Sequence, residues 1–199
     1  MKLRSQFLLG ILSVGLLSSC FAPIPRIPQT YYFFNPQLPN ISAPRISHTL
    51  LVNRPSVVTE YATAQMAYSI KPFELAYYAH HRWIAPPAVM LQPLLVASLQ
   101  NSERFEAVLA TPLLRAFHYR LETYLSNIKL DLYSQAPQVA MALQACLVDN
   151  DLQRILACDS FEHSQPVNAI SPYEYVVATN QLLHRLLTDV IQFVIANTE

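Results

Sequence analysis

The sequence contains only two glycines among its 199 residues, Gly10 and Gly15, and both lie close to the N-terminus. Residues 20–199 contain no glycine, whereas all 15 prolines lie in this part of the chain. Glycine is the default residue where a backbone must take a positive φ or approach a ligand very closely. A P-loop, a Gly-rich dinucleotide turn and a G-x-S-x-G nucleophile elbow are therefore excluded, and with them the enzyme classes that use these loops.

The first 20 residues, MKLRSQFLLGILSVGLLSSC, have the pattern of a secretory signal peptide. Lys2 and Arg4 supply the positive start, and the apolar run Phe7–Leu17 is too short to span a membrane. Small residues stand directly before Cys20, and Leu17-Ser18-Ser19-Cys20 matches the bacterial lipobox. The pattern predicts cleavage before Cys20, a diacylglycerol on its thiol and an acyl chain on its amine; two or three acyl chains anchor far more firmly than one. The alternative is an ordinary secretory signal with an incidental cysteine.

The predicted cleavage divides the chain into a signal peptide (1–19), a Pro-rich tether (20–30) and one domain (31–199). Pro23, Pro25 and Pro28 favour extended polyproline II, which makes a semi-rigid spacer. Loss of Lys2 and Arg4 leaves 11 basic against 13 acidic residues, a formal charge of −2. No basic cluster suited to nucleic acid remains. The hydrophobic fraction of 52% is high and suggests an apolar groove or a partner-covered surface.

Hydrophobic periodicity divides the domain into strands and two main helices. The first helix is expected at about 86–102, opened by proline and kinked at Pro93. The second is expected at about 172–197, with Ser171 as N-cap, proline at the first helical position and Glu174 three residues after the cap. The predicted strands are Tyr31–Phe34, His48–Asn53, Gln65–Ile70, Glu74–Trp83, Phe105–Ala110, Phe117–Leu132, Val139–Val148 and Leu152–Phe161.

The strand Phe117–Leu132 changes the parity of its apolar residues halfway along. Phe117 to Leu125 alternate on one parity, whereas Ile128, Leu130 and Leu132 fall on the other. One extra residue restores a common buried face, so we predict a β-bulge near Ser126-Asn127.

Cys146 and Cys158 flank the predicted turn Asp149-Asn150-Asp151. A turn centred on Asn150 places the two cysteines on one face but about 13 Å apart, beyond disulfide reach. A turn centred on Leu152 places them opposite each other. A disulfide and two buried thiols both remain open at this point.

The residues that carry chemistry elsewhere have ordinary structural interpretations here. His80 and His81 are adjacent on a strand and point to opposite faces, so they cannot chelate one metal. Cys146, Cys158 and His163 lack a fourth ligand for zinc. No catalytic residue and no metal ligand is predicted. Aromatic residues at strand edges, Tyr31, Phe33 and Trp83, are candidates for contact with a partner or with lipid.

In order along the chain, these features resemble a known family. They are the lipobox and proline-rich spacer, the Tyr-rich strand Tyr31–Phe34, Arg82-Trp83 just before a helix, a strand with Phe105 and Val108, a long hairpin and a capped C-terminal helix. The combination is similar to the ABC-type transport auxiliary lipoprotein family, which includes the lipoprotein of the paraquat-inducible Pqi system. The resemblance implies an α/β domain, and we expect a single domain with a mixed, largely antiparallel sheet on which the two helices pack.

The resemblance also implies a non-enzymatic role at the outer membrane. Phe21 follows Cys20 where lipoproteins retained at the inner membrane of enteric bacteria carry aspartate, so by resemblance the chain is sent to the periplasmic face of the outer membrane. Family members dock onto periplasmic MCE-domain proteins, which are tied to an inner-membrane ABC transporter and carry lipids between membranes. The expected partners are these proteins and the membrane, and formation of a homo-oligomer is a further possibility. No cofactor is expected beyond the lipid on Cys20. The alternative is a structural lipoprotein that binds a cell-wall or membrane component without transport.

Overall fold

The computed structural model describes residues 27–112 and 116–198, so the signal peptide, Cys20 and the tether as far as Arg26 lie outside the described residues. The described chain contains nine strands, two helices and a short 3₁₀ turn at Thr59–Tyr61. The helices are α1 (Pro87–Asn101) and α2 (Pro172–Ala196). The strands are β1 (Thr30–Tyr32), β2 (Ile46–Val52), β3 (Ser56–Val57), β4 (Gln65–Ser69), β5 (Ala76–Trp83), β6 (Phe105–Ala110), β7 (Tyr119–Asp131), β8 (Gln138–Asp149) and β9 (Arg154–Pro166).

The sheet is built around β7, one of its two longest strands. Along one edge β7 pairs over its whole length with β8, which in turn pairs with β9. Three strands share the other edge of β7 in succession: β2 near its start, β3 in its middle and β4 at its end. Beyond β2 lies β6, and beyond β4 lie β5 and then β1. The resulting strand order places β1 and β6 at edges of the sheet.

The expectation of a largely antiparallel sheet is wrong. Five of the eight strand pairings are parallel, namely β1–β5, β2–β6, β2–β7, β3–β7 and β4–β7. The antiparallel pairings are β4–β5, β7–β8 and β8–β9. Parallel partners need a crossover instead of a tight turn, and β2, β3 and β4 reach β7 through such long connections. A single α/β domain with a mixed sheet and two helices is confirmed.

The predicted bulge and both helices are confirmed. Leu125 pairs with Leu143 and Asn127 with Ala142, so Ser126 is the extra residue in β7. The N-cap Ser171 accepts a hydrogen bond on its Oγ from the Glu174 amide at 3.1 Å, and Thr179 Oγ1 donates to the Tyr175 carbonyl at 2.7 Å. Pro93 lies inside α1 with its side chain exposed.

The core lies between the sheet and the two helices. Both helices contribute fully buried leucines, and α2 buries eleven residues against the sheet. The largest fully buried side chains are Trp83, Tyr175, Leu50, Met66, Leu91, Leu95, Leu99, Leu121, Leu125, Ile128, Leu130 and Met141. This packing fixes where β1 and the start of α2 lie relative to each other.

Candidate functional site: an exposed aromatic shelf

Along the edge strand β1 and the two residues after it, aromatic side chains alternate between exposed and more buried positions. It pairs in parallel with β5, Thr30 opposite His81 and Tyr32 opposite Trp83, and within the described ranges no strand covers its other edge. Tyr31 in β1 and Phe33 just after the strand are 57% and 58% exposed, whereas Phe34 is buried. The contact candidates Tyr31 and Phe33 are therefore both accessible at the surface. An uncovered strand edge also leaves backbone N–H and C=O groups available for a further strand.

Trp83, the third aromatic contact candidate, lies in the core. Its side chain is 1% exposed. The rings of Phe34 and Tyr175 meet it edge to face, with centroids 5.0 and 5.5 Å away. Trp83 therefore has no surface to offer a partner or a lipid directly. It instead holds β1 and the start of α2 in place from beneath.

The first turns of α2 bring a further aromatic residue beside Tyr31 and Phe33. Tyr173 is 64% exposed, and together the three residues form what we call the aromatic shelf (Tyr31, Phe33 and Tyr173). They border a groove of about 280 Å³ whose other lining residues, all uncharged, are Tyr32, Asn35, Val176, Val177 and Asn180. Sequence reasoning missed Tyr173, although Ser171-Pro172-Tyr173-Glu174 places it in the first, solvent-facing turn of a capped helix.

Two tyrosines near the shelf, Tyr175 and Tyr78, have raised pKa values. Burial raises the pKa of Tyr175 well above its ordinary value, and its hydroxyl donates to the Ile128 carbonyl at 3.4 Å. Burial also raises the pKa of Tyr78, with Tyr68 and Tyr32 adding to the effect. The groove at the shelf is lined by tyrosine, phenylalanine, valine and asparagine, so the shelf is suited to binding aromatic or aliphatic groups or an extended peptide.

The residues described here form no metal-ligand cluster of three or more histidine, cysteine, aspartate or glutamate side chains. His163 lies instead against Asp189, with Nε2 and Oδ2 2.5 Å apart, and this contact joins β9 to α2. His163 and Asp189 therefore have a structural role, because their contact connects the sheet to the helix.

Cys146 and Cys158 face each other across β8 and β9 and are joined by a disulfide, with their Cα atoms 4.1 Å apart. Asp149 pairs with Arg154, and a bulge between Leu147 and Val148 shifts the register by one residue. The resulting register is that of a turn centred on Leu152, the second of the two alternatives. In the sheet, the disulfide between β8 and β9 lies on the opposite side of β7 from β1, which carries Tyr31.

Neither described helix combines the length and apolar character needed to cross a membrane. Cys20, the predicted site of lipid attachment, lies outside the described residues.

Comparison with known proteins places this fold in a family. A structure of a Xanthomonas campestris protein of the DUF330 family superposes with a TM-score of 0.76 at 24% identity, covering 84% of this chain and 96% of that one. A structure described only as an uncharacterized protein superposes with a TM-score of 0.67 at 13% identity, covering 84% and 99%. No curated protein matches the sequence significantly. The family model for the ABC-type transport auxiliary lipoprotein component matches residues 32–191, and the chain therefore belongs to this family of accessory lipoproteins of ABC transport systems.

Proposed function

We propose that this protein is an outer-membrane lipoprotein that serves as a non-enzymatic accessory subunit of an MCE-type envelope transport system, carrying lipid between the membranes. The match to the auxiliary lipoprotein family over residues 32–191 is the observation that carries this proposal. The lipobox at Cys20 supports a membrane anchor, and Phe21 supports export to the outer membrane. The energy for transport comes from the ATPase of the transporter, because residues 20–199 lack the glycines of a phosphate-binding loop.

The aromatic shelf is the proposed contact surface for the periplasmic MCE-domain partner. Tyrosine and phenylalanine are enriched at the centres of protein interfaces, where they contribute large apolar area at low entropic cost. The open edge of β1 lies beside the shelf and can accept an extended segment of the partner as an additional strand. Trp83 keeps both surfaces rigid, which lowers the ordering cost of binding.

Co-purification from intact envelopes tests this proposal. The tagged, lipidated protein is cross-linked in cells and purified, and the co-purifying proteins are identified by mass spectrometry. We expect an MCE-domain protein with the wild type and about a tenfold loss of it in the Tyr31→Ser/Phe33→Ser double variant. The matched control is Ile155→Ser, because Ile155 is 63% exposed but lies on β9, away from the shelf. Absence of any MCE-domain protein from the wild-type sample contradicts the proposed system, and equal losses in both variants contradict the assignment of the shelf.

A further inference from the structure

A second exposed apolar cluster lies at the turn between β4 and β5, which we call the hairpin tip (Ile70–Phe73). Ile70 is 50% exposed, and Phe73 is fully exposed and has a φ of 64°. A left-handed conformation costs a bulky side chain about 1–2 kcal/mol. The turn is nevertheless well defined, since the Glu74 amide donates to the Lys71 carbonyl and Ser69 Oγ donates to the Glu74 carbonyl at 2.7 Å. The chain therefore holds an aromatic ring out into solvent on a fixed turn.

The end of β7 adds to this cluster. Ser69 pairs with Asp131, and the Leu132 amide donates to the Ser69 carbonyl at 2.9 Å, which brings the half-exposed Tyr133 alongside the tip. Lys129 Nζ lies 5.6 Å from the centre of the Tyr133 ring. After Lys2, the sequence contains only two lysines, Lys71 and Lys129, and both lie at this end of the sheet.

The charges at this end of the molecule are mixed. Lys129 shares one cleft with Glu60, Glu74 and Phe73 and a second cleft with Asp131, Glu162 and Tyr133. Lys71 lies in the same turn as Glu74, whose amide donates to the Lys71 carbonyl. Attraction to an anionic surface therefore contributes little. A contact made by the tip must come from the burial of its apolar side chains, and we expect it to be insensitive to salt.

The direction of β1 allows the predicted membrane anchor to reach the same end of the sheet. Because β1 runs parallel to β5, the chain reaches Thr30 from the side on which the hairpin tip lies. Thr30 is level with His81, five residues from the start of β5 at Ala76, or about 16 Å along the strand. The ten residues from Cys20 to Thr30 can span up to about 33 Å. A lipid on Cys20 can therefore lie level with the hairpin tip or beyond it.

We propose that the hairpin tip inserts Ile70 and Phe73 into the headgroup region of the bilayer that carries the lipid of Cys20. This inference rests on the lipid attachment in the proposed function and adds a second, non-covalent membrane contact. A tip of four residues is too small for a stable protein interface, which needs about 800 Å² on each partner. In an interfacial membrane contact, a few aromatic and aliphatic side chains with flanking lysines are sufficient once an acyl chain holds the protein at the surface. With the tip in the bilayer, the aromatic shelf lies at the far end of β5 and faces away from the membrane.

Fluorescence in vesicles tests this contact. The full lipidated protein carrying Phe73→Trp is reconstituted into vesicles of phosphatidylethanolamine and phosphatidylglycerol with brominated acyl chains. The native Trp83 is the single tryptophan and is buried, so it gives a constant background. The matched control is Leu152→Trp, since Leu152 is 61% exposed in the β8–β9 turn, about 40 Å away at the other end of β7. We expect a blue-shifted emission and strong quenching by brominated lipid for the tryptophan at position 73 and neither for the one at position 152.

Flotation of the same vesicles separates this proposal from the lipid attachment. Wild-type protein that floats, with Cys20→Ser remaining in solution, supports the anchor. Floating protein in which position 73 is quenched no more than position 152 overturns the tip contact and leaves the anchor intact. Wild-type protein that does not float overturns the anchor and the tip contact with it. Shielding of position 73 only after a periplasmic extract is added also overturns the proposal, because it assigns the tip to a protein partner.

Discussion

Replacement of Trp83 by alanine tests whether this residue is part of the framework or of a contact surface. Its indole is 1% exposed and meets the rings of Phe34 and Tyr175 at 5.0 and 5.5 Å. Truncation of a buried tryptophan to alanine costs about 3–5 kcal/mol, because apolar burial is lost and a cavity remains. Each lost edge-to-face pair contributes about 0.5–1.5 kcal/mol of this cost. We therefore expect a loss of about 4 kcal/mol, a large part of the 5–15 kcal/mol that is typical of a domain.

Urea unfolding followed by far-UV circular dichroism measures this loss, since the variant has no tryptophan left to report by fluorescence. With a slope of about 2 kcal/mol per molar urea, the midpoint falls by about 2 M. The control is Phe33→Ala, whose side chain is 58% exposed and whose loss changes stability by no more than about 0.5 kcal/mol. A cost below about 1 kcal/mol for Trp83→Ala, or equal costs for the two variants, refutes the framework role.

Two further predictions concern the disulfide and a buried phenol. In urea unfolding, we expect the Cys146→Ser/Cys158→Ser variant to be about 3 kcal/mol less stable than the oxidised wild type, which is the loop-closure term for cysteines 12 residues apart. The reduced wild type should match the variant. Burial, with Glu60 and Tyr77 adding to it, raises the pKa of Tyr61 to about 12, so its phenol stays neutral in the folded chain above pH 10. The stabilisation by this group is complete below pH 10 and is lost as the pH rises towards 12. The stability of the wild type relative to Tyr61→Phe should therefore fall between pH 10 and 12, and a constant difference over this range contradicts the prediction.

Local patterns predicted the elements of the fold because these patterns arise from neighbouring residues. The capping sequence from Ser171 to Glu174 defines the start of α2, and the parity change before Ile128 identifies the bulge at Ser126. Both features are satisfied within one turn of helix or one strand, so they need no knowledge of the rest of the chain. The two-residue strand Ser56–Val57 was missed because it is too short to show a period.

Strand partners and the candidate site were predicted less well because both depend on distant residues. The parallel pairings of β2 and β4 with β7 join residues that are more than 60 positions apart in the sequence. Alternation predicts which face of a strand is buried but not which strand pairs with it. From the sequence alone, Trp83 fits an edge position and a core position equally well. Its contacts with Phe34 and Tyr175, which depend on the tertiary fold, show that it lies in the core. The pairing of the two cysteines depends on the position of the β8–β9 turn and on a one-residue bulge between Leu147 and Val148, and the sequence of the turn specifies neither.

The position of β7 in the sheet also affects how the chain acquires its structure. The pairs β2–β6 and β4–β5 are joined in the sheet through β7, which follows all of them in the sequence. The contacts that unite the sheet therefore have high contact order, and such topologies fold slowly. A chain that emerges N-terminus first cannot close this sheet until residue 131 is free. The order of its strands thus delays closure of the sheet during synthesis, which suits the export that we propose for this chain, because a polypeptide must stay unfolded until it has crossed the membrane.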